Sequence, residues 1–187
     1  SYYKSLTKAN QYVKQEARFA LSVIDMLLMN TSTSQIDKEK FKVQSMAQCV
    51  EDALARYPLQ EDEVDKVHWK KSDFSFLGDE ILMTHVLFNL LKNALYYLKA
   101  ANKGEIHIGC EENEKFNILY FKDTGLGIDA DILPHVFDRF YTRTRKGTGV
   151  GLAFCKLVMQ SFGGDITCES VKGEYAKFTM TFPKVDH

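Results

Sequence analysis

Residues 116–127 are Phe-Asn-Ile-Leu-Tyr-Phe-Lys-Asp-Thr-Gly-Leu-Gly, and the interpretation of the whole chain starts from this stretch. Apolar and polar side chains alternate from Phe116 to Phe121, which is typical of a half-buried strand. Asp123 follows and opens an Asp-x-Gly-x-Gly pattern, in which glycines let the backbone approach a flat ligand closely. A carboxylate at the end of a strand can accept a hydrogen bond from an exocyclic amine. A simple turn containing an aspartate explains the pattern equally well.

The segment before this strand, residues 80–101, predicts a long helix that begins after Asp79 as its cap. His85, Asn89 and Asn93 are four residues apart and project from one face of this helix. Amide oxygens are hard ligands, so the two asparagines suit Mg²⁺ beside phosphate oxygens. A polar helix face in water is the alternative. A separate apolar stripe predicts the buried face, namely Met83, Leu87, Leu90, Ala94 and Leu98.

A second glycine-rich stretch follows, at residues 147–152, Gly-Thr-Gly-Val-Gly-Leu. It opens an apolar helix predicted to reach about Phe162, and such turns present free N–H groups to phosphate. A basic polar loop, residues 138–146, precedes it in place of a strand, which excludes a Rossmann dinucleotide site. No Walker P-loop pattern occurs either. The cations of this loop (Arg139, Arg143, Arg145 and Lys146) favour a mobile lid over a polyphosphate, and a solvated loop is the alternative.

The remaining patterns predict an α+β two-layer sandwich, with helices on one face of a mixed, mostly antiparallel sheet. A further helix is predicted from Met46 to Tyr57, because a residue before Pro58 is disfavoured in helical geometry. Strands 64–69 and 74–77 are predicted to form a hairpin. The other predicted strands are residues 41–43, 106–110, 116–121, 165–171 and 177–182.

Residues 1–30 predict a single long helix with a heptad seam. The seam consists of Leu6, Asn10, Val13, Ala17, Ala20, Ile24 and Leu27. We expect it to dock against a partner chain or an upstream helix, and the alternative is that the helix folds back on the domain. The polar residues 30–35 predict a boundary. The expected domains are therefore 1–32, part of a dimerisation unit, and 37–187.

Composition excludes several classes of protein. The chain has 187 residues, with 24 Lys+Arg against 25 Asp+Glu and a formal net charge of -1, so no global charge recruits nucleic acid or an anionic membrane. No apolar run approaches the roughly 18 residues of a membrane span. The four cysteines form no CxxC pair and are expected as reduced thiols in a cytosolic compartment. Because no Met starts the chain, we expect an excised fragment.

Four motifs occur in a fixed order: Asn89-x3-Asn93, Asp123-x-Gly-x-Gly127, Phe137-Asp-Arg-Phe140 and the glycine-rich residues 147–152. Together they resemble the N box, first glycine box, F box and second glycine box of sensor histidine kinases, over about residues 37–183. The resemblance implies the Bergerat-type ATP-binding fold shared with gyrase, Hsp90 and MutL ATPases. The N-terminal helix is similar to the second helix of the dimerisation domain that precedes such catalytic domains.

The resemblance implies a site for ATP and Mg²⁺. It implies that Asn93 coordinates Mg²⁺, that Asn89 lines the phosphate end, and that Asp123 accepts the adenine amino group. Tyr97 matches an aromatic residue that flanks the nucleotide, and Arg143 and Lys146 match the lid. The other implied ATP-binding residues are Gly125, Gly127, Ile128, Gly147, Thr148, Gly149, Val150, Gly151 and Leu152, with the glycines at 147, 149 and 151 meeting the phosphates.

The chain departs from the family pattern at three points. Tyr96 stands where the family often has a phosphate-binding lysine. Ala176 stands where a threonine hydroxyl near adenine is usual, in Tyr175-Ala-Lys-Phe178. The phosphoacceptor histidine is absent, because no histidine of this chain is predicted on an exposed helix ahead of an acidic residue.

The implied activity is therefore that of a protein-histidine kinase in a two-component system. ATP bound here would give its γ-phosphate to a histidine on a helix missing from this chain, for relay to a response-regulator aspartate. The expected partners are that upstream helix, a second protomer in a homodimer and the receiver domain, with no nucleic acid and no direct membrane contact. We expect a cytoplasmic location for this chain, and an inner-membrane location of the whole parent protein is compatible with it. We expect no autophosphorylation of the chain alone.

Other interpretations stay open from the sequence. A degenerate, non-catalytic ATP-gated module for dimerisation or docking is compatible with Tyr96 and Ala176. A serine kinase of the anti-sigma type or a gyrase-like ATPase arm is a further alternative. The heptad helix and the F box argue against both, and His85 would be an unusual general base for hydrolysis.

Overall fold

The computed structural model describes residues 2–31, 36–141 and 149–185. Its helices are α1 (Tyr2–Thr31), α2 (Met46–Arg56), α3 (Glu61–Val64), α4 (Glu80–Ala101) and α5 (Gly151–Ser161). Its strands are β1 (Lys42–Ser45), β2 (Val67–Trp69), β3 (Ser75–Gly78), β4 (Ile106–Glu112), β5 (Phe116–Asp123), β6 (Asp165–Val171) and β7 (Tyr175–Pro183). Short 3₁₀ turns occur at Lys38–Lys40 and Leu133–His135.

The main sheet has five strands in the order β2-β4-β5-β7-β6. Among the described strands of this sheet, the β2–β4 pair is parallel, and the other three pairs are antiparallel. Alternate residues of β7 are buried beneath the helices, whereas Lys177 faces the other side, over the Tyr120 ring. Helices α4 and α5 contact this sheet, and α2 packs against α4. This arrangement confirms the predicted α+β fold with a mixed, mostly antiparallel sheet.

Helix α4 is the central element of the core. The five residues of its predicted apolar stripe are all at most 4 % exposed, which confirms the stripe. The Asp79 carboxylate accepts a hydrogen bond from the Leu82 backbone N–H at 2.9 Å, as predicted for the N-cap. The helix ends at Asn102, which adopts the left-handed conformation with φ 50°. Asp79 and Asn102 therefore define the two ends of α4. Burial of the apolar stripe fixes the direction in which the polar face of the helix points.

The predicted hairpin of residues 64–69 and 74–77 is wrong. Strand β2 pairs in parallel with β4, and β3 pairs antiparallel with β1 in a separate two-stranded sheet. Burial explains the separation, because Phe76 is 1 % exposed and its ring packs against Phe162 and Phe182. The predicted strand also begins too early, since Val64 ends helix α3.

Helix α1 contacts the rest of the chain with one face and leaves its heptad seam exposed. The Arg18 guanidinium donates to the Pro58 carbonyl at 2.9 Å and forms an ion pair with Glu63, and Lys14 donates to the Leu59 carbonyl at 2.6 Å. Four seam residues are 41–63 % exposed, namely Leu6, Val13, Ile24 and Leu27. The seam thus has an open apolar surface. Among the described helices, none is long and apolar enough to cross a membrane.

Candidate functional site

Asp123 is an ionisable residue at the C-terminal end of the central strand β5. It is 1 % exposed and pairs with Ile106 of β4 and Ala176 of β7. Burial raises the pKa of its carboxyl group to about 6, although the Gly125 N–H, which donates at 3.1 Å, lowers it. A buried carboxylate is unfavourable for folding unless donors surround it. Asp123 is therefore placed and charged to receive a ligand donor group.

The glycines after Asp123 form a turn that is wedged between two elements. A Cβ on Gly125 would lie 2.9 Å from the Tyr97 carbonyl of α4. Gly127 has φ +67°, and a Cβ there would lie 2.2 Å from the Val171 carbonyl oxygen of β6. The buried Ile128 donates its N–H to Ser170 at 2.8 Å. A side chain at either position would clash with a neighbouring backbone, so the turn needs glycine at both. Gly125 contacts both the Asp123 carboxylate and the backbone of helix α4.

Two amide side chains on α4 carry buried atoms that have no hydrogen-bond partner in the part of the chain that the structure describes. Asn89 is 2 % exposed and donates its Nδ2 to the His85 carbonyl at 2.9 Å. Its Oδ1 and the Nδ2 of Asn93 are buried and have no hydrogen-bond partner among the described residues. Buried polar atoms in native proteins are almost always satisfied, and each unsatisfied one costs about 1–3 kcal/mol. A polar ligand at this face would satisfy both.

The N-terminus of α5 lies against the same face of α4. A Cβ on Gly151 would be only 2.3 Å from Oδ1 of Asn89, so glycine permits this close approach. Val150 is the N-cap residue and makes no side-chain cap hydrogen bond. The first N–H groups of a helix are unpaired within the helix and attract anions. Val150 is buried, and Leu152 is half-buried.

The F box and the second glycine box meet at their backbones. The Phe140 N–H donates to the Gly149 carbonyl at 2.7 Å, and Phe140 has φ 62°. Gly149 has φ +67°, and a Cβ on it would lie 2.6 Å from the Phe140 carbonyl carbon. These contacts hold Phe140, near the start of the predicted lid, against Gly149 in the second glycine box. Four predicted site residues lie outside the described residues: Arg143, Lys146, Gly147 and Thr148.

The Asp123 turn and the Asn89 amide lie at two positions along α4, and we call the groups between them the Asp123–Asn89 line. Tyr97, half-buried and in edge contact with the Tyr96 ring at 5.4 Å, lies beside the Gly125 turn. Asn89 lies two helical turns away, beside Gly151. At 1.5 Å per residue the two positions are about 12 Å apart, so a carboxylate end and an amide end are separated by the length of an extended ligand. Gly127 and Ile128 contact β6 instead and close the other side of the turn.

A cavity of about 570 Å³ opens next to the glycine turn, between the Ile128–Pro134 segment and β6. Of the predicted site residues that the structure describes, Ile128 alone lines this cavity, so the cavity lies beside Asp123 and Asn89 without containing them. Cys168 contributes to its wall. Burial, with the Asp123 charge as a smaller cause, raises the pKa of the Cys168 thiol to about 12. The thiol is thus a neutral neighbour of Asp123.

Sequence reasoning missed one cationic residue at the site. The Nζ of Lys92 lies 3.8 Å from the position that a Cβ on Gly151 would take. A helical spacing of three residues from Asn89 was the available signal, because such residues share a helix surface.

The family described as histidine kinase-, DNA gyrase B-, and HSP90-like ATPase matches residues 78–186. This range begins just before α4 and includes every described residue of the Asp123–Asn89 line.

The chain belongs to this ATPase family. Membership confirms the prediction of an ATP-binding domain of the gyrase, Hsp90, histidine kinase and MutL superfamily.

Two relatives show which members of this ATPase family the chain resembles. The chain is 35 % identical over 171 residues to the CAI-1 autoinducer sensor kinase/phosphatase CqsS of Vibrio cholerae, covering 88 % of this chain and 24 % of the relative. It is 35 % identical over 181 residues to the sensor protein SrrB of Staphylococcus aureus, covering 91 % of this chain and 30 % of the relative. The chain thus spans less than a third of the curated relatives it matches. These matches confirm the resemblance to sensor histidine kinases.

Solved structures show the same fold. The mycobacterial sensor histidine kinase MprB superposes with a TM-score of 0.66 at 20 % identity, over 76 % of this chain and 97 % of that one. The catalytic domain of histidine kinase ThkA gives 0.64 at 21 % identity, over 78 % of this chain and 96 % of that one. Acinetobacter baumannii histidine kinase AdeS gives 0.64 at 20 % identity, and that match covers 98 % of this chain and 84 % of that one.

Proposed function

We propose that this chain is the ATP-binding catalytic part of a two-component sensor histidine kinase. One observation carries the proposal: the turn that follows the buried Asp123 contacts α4 at Tyr97, about 12 Å along this helix from Asn89. Asn89 and Asn93 of α4 each have a buried amide atom without a hydrogen-bond partner among the described residues. Membership of an ATPase family supports it, and so does 35 % identity to a sensor kinase/phosphatase and to a sensor protein.

Adenine lies at the Asp123 end in this proposal. The carboxylate accepts a hydrogen bond from the exocyclic amino group, which also offsets the cost of burying its charge. Gly125 and Gly127 leave room for the flat ring, Tyr97 flanks it, and the buried Ile128 supplies an apolar surface.

The phosphates lie at the other end, between α4 and α5. Asn89 and the N–H groups that follow Gly149 and Val150 at the start of α5 bind phosphate oxygens, with Gly151 and Leu152 in the first turn. The remaining cations and donors of the proposed phosphate site are Arg143, Lys146, Gly147 and Thr148. Because α5 has no side-chain cap, its N-terminus is available for an anion.

The amides also fit a magnesium ion. Mg²⁺ is usually held by one or two protein oxygens together with substrate phosphates. Asn93 is partly exposed, and rotation of its terminal amide presents the oxygen where the unpartnered nitrogen now lies. We assign Asn93 as the ligand, and the ion would neutralise phosphate charge.

The reaction follows from positioning. In the whole protein the γ-phosphate passes to a histidine on a helix outside this chain, and then to an aspartate of a response-regulator receiver domain. Holding the phosphates in line and neutralising their charge supplies most of the catalysis. The exposed heptad seam of α1 supports docking against the phosphoacceptor helix and a second protomer, in a cytoplasmic kinase dimer.

Calorimetric titration with ADP and Mg²⁺ tests the proposal. The wild-type chain is expected to bind. Asp123→Asn is expected to weaken binding at least tenfold, because a charge-assisted hydrogen bond is lost. Asp65→Asn, at the exposed end of α3, serves as the matched control and should bind like wild type. No heat with the folded wild-type chain would contradict the proposal.

A non-catalytic ATP-gated module is the second candidate. Ala176, opposite Asp123 in the sheet, has no hydroxyl for the ligand, and Tyr96 provides no cation. Incubation of the full-length protein with labelled ATP distinguishes the two. Acid-labile label on histidine favours the kinase, whereas nucleotide binding without any label favours the module.

A further inference from the structure

We propose that Lys92 is a phosphate-binding residue of this site and takes the role of the lysine that Tyr96 replaces. The inference rests on the proposed function, and it assigns the missing cation to α4 itself instead of to the predicted lid.

Tyr96 itself cannot supply a cation. Its side chain is 48 % exposed, and its ring meets Tyr97 edge to face at 5.4 Å. The position one turn earlier on α4 is Lys92, which is half-buried.

The ammonium group of Lys92 lies at the phosphate end. Its Nζ and the Oδ1 of Asn89 are 3.8 Å and 2.3 Å from one point, the Cβ position of Gly151. A lysine ammonium, an unpartnered buried amide oxygen and an uncapped helix N-terminus thus meet around one volume. The ammonium and the helix N-terminus both attract negative charge, and together they form a site for a phosphate group.

The position also explains how the chain keeps a cation without the lysine of the family pattern. Residues 92 and 96 are four apart, so their side chains project from neighbouring turns of the same side of α4. A long, flexible lysine stem can reach the phosphate from either turn. The positive charge at the phosphate end is therefore retained, although the residue that carries it is at position 92 and not at position 96.

Binding of ADP and of adenosine to Lys92→Gln tests the proposal, with calorimetry for ADP and NMR titration for adenosine. We expect ADP affinity to fall about tenfold or more, since a hydrogen bond to a charged group is lost, and adenosine affinity to stay unchanged. Lys99→Gln, at the exposed C-terminal end of α4, should affect neither ligand. Tyr96→Lys added to Lys92→Gln should recover most of the ADP affinity.

These measurements distinguish a failure of the Lys92 proposal from a failure of the proposed function. Unchanged ADP affinity in Lys92→Gln would overturn the role of Lys92, and so would equal losses for ADP and adenosine. Failure of the wild-type chain to bind ADP would instead overturn the proposed function.

Discussion

Asp123 shows at the scale of one residue how binding and stability conflict. Its folded-state pKa of about 6 lies above the ordinary value of 3.8. Folding therefore favours the protonated form, and this favourable contribution is complete below about pH 4 and is lost as the pH rises through 6. At neutral pH the buried charge opposes folding, and the site keeps it because a ligand donor needs it.

Asp123→Asn is accordingly expected to stabilise the nucleotide-free chain at pH 7.5, by about 1–3 kcal/mol, because the amide carries no charge to bury. The advantage should shrink as the pH falls from 6 towards 4, where wild-type Asp123 is protonated. Urea unfolding of both proteins across this range measures it. A pH-independent difference, or a less stable variant at pH 7.5, would contradict the account.

Gly127 and Gly173 provide a matched pair for the glycine turn. Both have positive φ, +67° and +81°, but a Cβ on Gly127 would meet the Val171 carbonyl at 2.2 Å, whereas Gly173 has open space. We expect Gly173→Ala to lower the free energy of unfolding by about 1–2 kcal/mol, from backbone strain alone. Gly127→Ala should cost clearly more, as chemical denaturation would show. Equal costs would mean that the turn is not wedged against β6.

At the scale of elements, Arg18 provides several of the contacts between α1 and the domain. Its guanidinium and the Glu63 carboxylate are both mostly buried, and the group also lies 5.2 Å from the centre of the Tyr57 ring. A paired, partly desolvated guanidinium contributes more than an exposed ion pair.

Arg18→Gln should therefore weaken the contact between α1 and the domain. We expect the backbone amides of residues 14–21 to exchange with deuterium about fivefold faster or more, as for a loss of about 1 kcal/mol. Lys8→Gln, exposed on the same helix, is the control. Reversing the pair, Arg18→Glu with Glu63→Arg, should restore only part of the protection, because a glutamate cannot donate to the Pro58 carbonyl. Unchanged exchange in Arg18→Gln would mean that the contacts of Arg18 with Pro58 and Glu63 do not stabilise the position of α1.

Long elements with their own end signals were predictable from the sequence, and short strands were not. Asp79 and the apolar stripe defined α4, because capping and burial act within one helix. Strands β2 and β3 gave no local sign of their partners. Their pairing depends on where Phe76 and Trp69 pack, which is settled by the whole core.

The site shows the same division at the scale of the whole molecule. The order of four motifs predicted the family and the roles expected for Asp123, Asn89 and Asn93, because those residues belong to local patterns. Lys92 is absent from those patterns, and only the approach of Gly151 to α4 places it at the phosphate end. Four seam residues of α1, namely Leu6, Val13, Ile24 and Leu27, remain 41–63 % exposed.

The chain alone should bind nucleotide without labelling itself. Among the described histidines, none lies on a helix exposed ahead of an acidic residue in the way a phosphoacceptor does. His135 comes nearest, in a short 3₁₀ turn with its Nδ1 2.8 Å from Asp138. Incubation with γ-labelled ATP should leave no acid-labile label. Label that disappears in His135→Gln would show a phosphoacceptor within the chain.

A crystal structure of the chain with ADP and Mg²⁺ would show where the nucleotide binds. We expect the adenine amino group within hydrogen-bond distance of the Asp123 carboxylate, the phosphates between Asn89 and the start of α5, and the metal on Asn93. Nucleotide bound elsewhere, for example in the cavity beside β6, or phosphates that contact neither asparagine, would contradict this expectation.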